Sequence, residues 1–254
     1  MYYEIHGEGE PLVLIGGFTA DHLVWGAVVD YFKENYQVIL LDNRGAGQTD
    51  VPDGPYSIEQ MADDVAGLCT KLGIQKAHFV GSSMGGYIVQ TLAVKHKELV
   101  HSVVISNSAA VLGTPFRVYV EAQREMRRAK LPAEIIIKAA CSWFFSYQFI
   151  AQPGMLELLI QMSLNNPYPF SDKGYDGQYE ALKKFDSSAW LQKIDVPTLV
   201  LAAEQDLVFR EPLVKQFAQQ IAHAKYYCFN DCGHLPMIEY PEEFKRLVHE
   251  FIVN

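Results

Sequence analysis

The sequence predicts an α/β protein: a central, mostly parallel sheet flanked by helices, with an all-helical segment inserted between two of its strands. Three observations lead there. Short β-rich apolar runs alternate with stretches of helical periodicity, as expected of a parallel sheet covered on both faces. That alternation stops between 113 and 189 and then resumes. The chain has 254 residues, 49% of them hydrophobic, which is enough for one substantial core.

The strand candidates, in order, are "PLVLI" (11–15), "QVILLD" (37–42), "AHFVG" (77–81), "VVIS" (103–106), "TLVLAA" (198–203) and "KYYCF" (225–229). Helical periodicity covers 57–72, 85–97, 211–222 and 241–252. The first of these opens on "SIEQ", a capping box in which Ser57 caps and Gln60 reaches back. The last opens with Pro241 in its first turn. Between Gly113 and Ala189 no strand pattern occurs, and three or four helical segments are divided by "LPAE", "QPGM" and "NNPYPFSDKG". The expected organisation is a core domain of 1–112 and 190–254 carrying a helical cap of 113–189. Its place after the strand at 103–106 puts the cap over the C-terminal edge of the sheet, where loops build sites.

Acidic residues outnumber basic ones by 30 to 21, giving a net charge of −9. That balance argues against nucleic-acid or anionic-membrane partners and leaves small molecules as the expected ligands. No stretch has the pattern of a leader or a membrane span, so a soluble, cytoplasmic protein is expected. Self-association is left open. Cys69, Cys141, Cys228 and Cys232 match neither a zinc pattern nor a dense disulfide framework and are expected as free thiols, and no His-Glu-x-x-His occurs. No metal site is expected.

In "VGSSMGG" the frame Gly-x-Ser-x-Gly fits Gly81, Ser83 and Gly85, because centring it on Ser82 would require glycine where Val80 stands. It follows a strand and opens a helix, the setting of a nucleophile elbow. Neither a phosphate-cradling Gly-Lys-Ser/Thr nor a Gly-x-Gly-x-x-Gly after the first strand is present, so nucleotide binding is not indicated. A serine nucleophile needs a base. Of eight histidines, His234 lies between the last strand and last helix, on the edge where Ser83 would sit. His78, His96, His101 and His249 fall in strands or beside helices away from that edge. The carboxylate that orients the base should follow the preceding strand, where "AAEQD" offers Asp206, with Glu204 in reserve. Backbone amides of Met84 and Phe18 are the expected oxyanion donors, Gly16 and Gly17 permitting the turn before Phe18.

Taken together, "GGF" (16–18), "DNRGAGQTD" (42–50), "GSSMGG" (81–86), "AEQD" (203–206) and "CGHLPMIEYPEEF" (232–244) resemble the α/β-hydrolase family. The resemblance implies a Ser-Asp-His triad without a cofactor, and "DNRGAGQTD" and "SNSAA" are similar to the branch of small-ester hydrolases and 3-oxoadipate enol-lactonases. Three departures stand out. Gly16-Gly17 replaces His-Gly, Ala203 replaces a glycine three residues before the acid, and the first antiparallel strand is expected to be short or absent. Serine at 83 speaks against the aspartate-based epoxide hydrolases and dehalogenases. Ser82 and Leu235 speak against the carbon-carbon hydrolases of aromatic degradation.

The expected function is hydrolysis of a small carboxylic ester or lactone. The alternatives are a perhydrolase or carbon-carbon hydrolase using the same triad, or a ligand-binding protein on the same fold. Within the cap, Trp143, Phe144 and Phe145 cannot share one helix face and are expected mainly to pack the cap on the body. Arg117, Arg124 and Arg128 could hold an anionic substrate such as a lactone bearing a carboxylate. Glu121 and Glu125, three residues before the last two, favour solvated ion pairs instead.

Overall fold

The computed structural model describes residues 1–254. Strands β1 (Tyr3–His6), β2 (Glu10–Ile15), β3 (Tyr36–Leu41), β4 (Ala77–Ser82), β5 (Val100–Ser106), β6 (Thr198–Ala203) and β7 (Lys225–Phe229) form one sheet in the order β1-β3-β2-β4-β5-β6-β7. Only β1 runs antiparallel, with Tyr3 opposite Leu41. All other pairs are parallel. The first strand is short, as expected, but present, and β5 begins three residues earlier than its apolar run suggested.

The helices in chain order are α1 (Gly26–Phe32), α2 (Ile58–Lys71), α3 (Met84–Lys95), α4 (Thr114–Arg128), α5 (Ala133–Phe144), α6 (Tyr147–Ile150), α7 (Met155–Leu164), α8 (Asp172–Lys184), α9 (Glu211–Ala218), α10 (Pro236–Glu239) and α11 (Pro241–Val253). Five of them, α4 to α8, occupy the stretch between β5 and β6. Helix α9 stops at Ala218, four residues short of its periodic pattern. The capping box of α2 forms as expected, with Gln60 N donating to Ser57 Oγ and Ser57 N donating to Gln60 Oε1, both at 3.1 Å. No helix is long and apolar enough to cross a membrane.

Side chains of a strand alternate between faces, so one apolar run feeds two cores. Val13 and Ile15 of β2 join Phe79, Val103 and Val200 in the layer covered by α2, α3 and α9. Leu12 and Leu14 join Val80, Val104 and Leu201 under α1 and α11, against Trp25, Phe32 and Phe244. Burial on both faces is why these strands read as continuous rather than alternating apolar runs. All four cysteines are free. Burial pushes the Cys69 thiol up to about 11, which keeps it unreactive.

The inserted helices are tied to the sheet edge by specific bonds. Phe144 O, at the end of α5, accepts from His234 N at 2.8 Å. Glu239 of α10 accepts from Ser146 N and Gly233 N at 3.0 Å each and from Ser146 Oγ at 2.5 Å. Burial raises the Glu239 carboxyl above the usual carboxylate range, against the lowering effect of the Ser146 and Gly233 bonds. The folded chain therefore holds that proton more tightly than the unfolded chain. This group's contribution to stability is greatest below the unfolded carboxyl value and falls as pH rises through the raised one. Glu239→Gln should remove that part of the pH dependence. In urea unfolding from about pH 4 to about pH 7, wild type should lose stability relative to the variant as pH rises, whereas parallel curves would contradict the assignment.

Candidate active site

Strand β4 ends at Ser82 and α3 begins at Met84, leaving Ser83 between them with φ 57° and ψ −116°. A non-glycine residue in that region costs on the order of 1–3 kcal/mol and persists only where its surroundings enforce it. Here Ser83 N donates to Ser106 O at 2.9 Å, and Ser83 O accepts from Gly86 N at 2.9 Å. The turn is also too tight for side chains beside it: a β-carbon at Gly81 would collide with the Gly85 carbonyl, and one at Gly85 with the Ile15 carbonyl. The glycines of the sequence frame are thus required by close backbone approach. Ser82 completes β4 and is buried.

Because β4 to β7 are parallel neighbours, the loops that follow them meet at one edge. Asp206 follows β6 and His234 follows β7, each only 2% exposed. His234 Nδ1 lies 2.9 Å from Asp206 Oδ2. The same oxygen accepts from Asn107 Nδ2 at 3.0 Å, and Oδ1 accepts from the amides of Val208 and Phe209 at 2.7 and 3.0 Å. These four bonds offset the cost of burying the carboxylate. Asn107 directly follows Ser106, the residue that holds the Ser83 amide, so elbow and acid share one support. Ser83 Oγ and His234 Nε2 make no hydrogen bond with any group of the chain.

The amide of Phe18 has no backbone acceptor, and Met84 N, at the first position of α3, has no acceptor within that helix. Gly17 packs against Ser83, where a β-carbon would lie 3.0 Å from Ser83 Cβ. The loop carrying Phe18 is fixed from both sides. Asn43 Nδ2 donates to Gly16 O at 3.0 Å. Thr19 N, at a left-handed φ of 61°, donates to Gln178 Oε1 at 2.7 Å. Gln178 is a fully buried residue of α8, and its Nε2 donates to Arg44 O at 2.9 Å.

The remaining candidates separate on geometry. Glu204 is exposed and accepts from Asp231 N at 3.0 Å, so it does not serve His234. His22 forms a second buried pair, Nδ1 2.9 Å from Asp42 Oδ1, but its Nε2 faces Glu4 at 3.4 Å, leaving neither nitrogen free. His78 and His101 stack at 4.6 Å and converge with Glu10 at the N-terminal ends of β2, β4 and β5, the edge opposite Ser83 and His234. Of the arginines, Arg128 pairs with Glu125 at 3.0 Å as the spacing suggests, but Arg124 pairs with Asp176 at 2.7 Å. Glu121 instead accepts from the Tyr179 hydroxyl at 2.8 Å.

A cavity of about 490 Å³ lies between α4, α5, α7 and α8 and the loop after β2. It adjoins Ser83 and His234 through two of its lining residues. Phe18 follows Gly17 at the elbow, and the Phe144 ring centre lies 5.7 Å from that of His234. The aromatic run divides accordingly: Trp143 stacks on Tyr119 at 4.8 Å, while Phe144 and Phe145 line the cavity. Sequence reasoning passed over Asn107, Gln178 and Glu239 as site residues. For Asn107 a signal existed, an asparagine directly after a strand, tolerant of the left-handed φ of 49° found there. Gln178 and Glu239 carry none, since their partners lie far away in sequence or in irregular loops.

The family model described as the alpha/beta hydrolase fold matches residues 10–241. A 3-oxoadipate enol-lactonase of Acinetobacter baylyi is 33% identical over 256 aligned positions, covering 97% of this chain and 90% of its own. Among solved structures, an enol-lactonase from Burkholderia xenovorans superposes with a TM-score of 0.89 at 28% identity, covering 100% of this chain and 96% of its own. A thermophilic esterase from Thermogutta terrifontis does so with a TM-score of 0.85 at 28% identity, covering 99% and 92%. With its sheet order, its elbow and a family match running through nearly all of its length, this chain belongs to the alpha/beta hydrolases.

Proposed function

We propose that the protein hydrolyses a small carboxylic ester or lactone through an acyl-enzyme on Ser83, with His234 as base, Asp206 as its partner and the amides of Phe18 and Met84 as oxyanion donors. The chief support is the 2.9 Å bond between His234 Nδ1 and Asp206 Oδ2. It commits Nδ1–H to the carboxylate and leaves Nε2 as the basic atom free to take a proton. Likeness to proteins named as enol-lactonases and an esterase supports the substrate class.

In this mechanism His234 Nε2 removes the Ser83 hydroxyl proton as Oγ attacks the substrate carbonyl. The carbonyl π pair moves to oxygen, where the amides of Phe18 and Met84 receive it. Collapse expels the alkoxide, which takes the proton from His234. Water, deprotonated by His234, then attacks the acyl carbon, and the Ser83 oxygen leaves with that proton as the acid is released. Asp206 stabilises the imidazolium at each stage, and no step requires a cofactor or metal. Residues 113–189 act as a lid inserted in the core domain of 1–112 and 190–254, and the tether from Gln178 to Thr19 lets that lid set the oxyanion loop.

Ser83→Ala should abolish labelling by a fluorophosphonate probe and lower kcat on a short aryl ester by about 10⁴-fold or more, with Asp206→Asn close behind at about 10⁴-fold. Undiminished turnover in the alanine variant would refute the assignment, and tight ligand binding without turnover in wild type would favour a receptor. Gln178→Ala should lower kcat by about 10–100-fold with little change in KM, because it loosens a donor that acts in the transition state. A matching loss of thermal stability with kcat unchanged would reduce Gln178 to a packing role.

A further inference from the structure

The cavity beside Phe18 is lined mainly by apolar side chains. Of its 25 lining residues, 18 are hydrophobic and none is lysine, arginine or histidine. Its one ionisable group of either carboxylate or cationic type is Asp21, which is 6% exposed. Asp21 is held rigidly, Oδ1 accepting from Leu23 N at 2.8 Å and Oδ2 from Asn166 Nδ2 at 2.7 Å.

The polar groups of the wall are largely spent on the wall itself. Gln123 donates to the Tyr119 hydroxyl and to Ile136 O. Tyr175 donates to Val120 O at 2.9 Å, and Asn166 spends its amide nitrogen on Asp21 and its oxygen on Tyr168 N. Ser163 and Asn165, which carry no side-chain bond, are exposed. The four arginines of α4 are each engaged by the protein: Arg124 with Asp176, Arg128 with Glu125, Arg117 with Lys183 O at 3.4 Å, and Arg127, stacked over the Phe170 ring at 4.5 Å, with Asp172 at 2.6 Å.

We propose that this cavity holds an uncharged, apolar acyl chain and excludes substrates that carry a carboxylate, with Asp21 as the residue that sets the discrimination. The proposal rests on Ser83 acting as the acylated nucleophile. In the acyl-enzyme the acyl group remains on Ser83 beside Phe18 while the alcohol departs, which places the acyl part next to the partly open apolar space that Phe18 lines. An aliphatic chain there meets Ile137, Leu159, Met162 and Phe116 and removes apolar surface from water. A carboxylate on such a chain would exchange part of its hydration for a wall without a cationic donor, whose unspent donors are the Tyr119 hydroxyl and the exposed Ser163 and Asn165, and would face the Asp21 carboxylate. A lactone bearing a free carboxylate is therefore a poor substrate, although the fold and triad suit lactone hydrolysis.

The test compares three 4-nitrophenyl esters of equal acyl length at about pH 8, where a free carboxyl is ionised: the octanoate, the half ester of octanedioic acid, and that half ester with its far end methylated. Each rate is divided by its alkaline hydrolysis rate to remove intrinsic reactivity. The octanoate should exceed the half ester in kcat/KM by about 100-fold or more, and the methylated compound should recover most of that difference. Within the series from acetate to octanoate, kcat/KM should rise with length. Asp21→Asn retains an acceptor to cap the turn that follows and should narrow the ratio of octanoate to half ester by about tenfold. Equal rates for octanoate and half ester, or no dependence on chain length, would overturn the proposal. An unaltered ratio in Asp21→Asn would overturn the role given to Asp21. Failure of the underlying reading looks different: no ester is turned over, or Ser83→Ala hydrolyses all of them as wild type does.

Discussion

The buried carboxylate of Asp206 is the constraint around which the site is arranged. Removing such a group from water costs several kcal/mol unless donors replace its hydration. Four converge on it, from Val208 and Phe209 of its own loop, Asn107 after β5 and His234 after β7. The sheet order makes this possible, since β5, β6 and β7 are adjacent and parallel, and their following loops meet on one side. The elbow joins through the bond from Ser83 N to Ser106 O, one residue before Asn107. Acid, histidine and serine are thereby registered to each other through backbone and short side chains rather than through long flexible ones, which keeps the geometry in place before substrate arrives.

The helices between β5 and β6 are more than a cover. Phe144 gives its carbonyl to the amide of His234, Ser146 and Gly233 share Glu239, and Gln178 holds the loop of Phe18. That segment therefore contacts both His234 and the loop of Phe18. The same helices supply most of the apolar wall of the cavity. The wall of the cavity and the placement of His234 and the Phe18 loop thus depend on one piece of chain.

How far these features could be read from sequence depended on how local their causes are. The elbow was legible because Gly81, Ser83 and Gly85 answer to clashes within five residues and with one neighbouring strand. Strands buried on both faces and the capping box of α2 were legible for the same reason. Helix α1, seven residues long, escaped because two turns give too little periodicity, and its stability comes from packing Val28 and Phe32 onto the sheet. The end of α9 was overestimated because an amphipathic pattern continued after the helical hydrogen bonds had stopped. Arg124 was assigned a partner three residues away, yet the nearest well-placed carboxylate was that of Asp176 on another helix.

By itself the sequence determined the order of strands and helices along the chain, the position of the strained serine, and a short list of acids and bases at one edge. These follow from periodicity, glycine sterics and chain direction, which act over a few residues. Tertiary structure decided the rest. It paired His234 with Asp206 rather than Glu204, recruited Gln178 to a loop 159 residues away, and engaged the arginines of α4 with partners of their own beside a cavity left with Asp21 as its carboxylate. Such outcomes turn on which polar groups find partners when water is removed. That is settled only once distant segments pack, because a buried charge or amide accepts whatever donor the fold brings within reach.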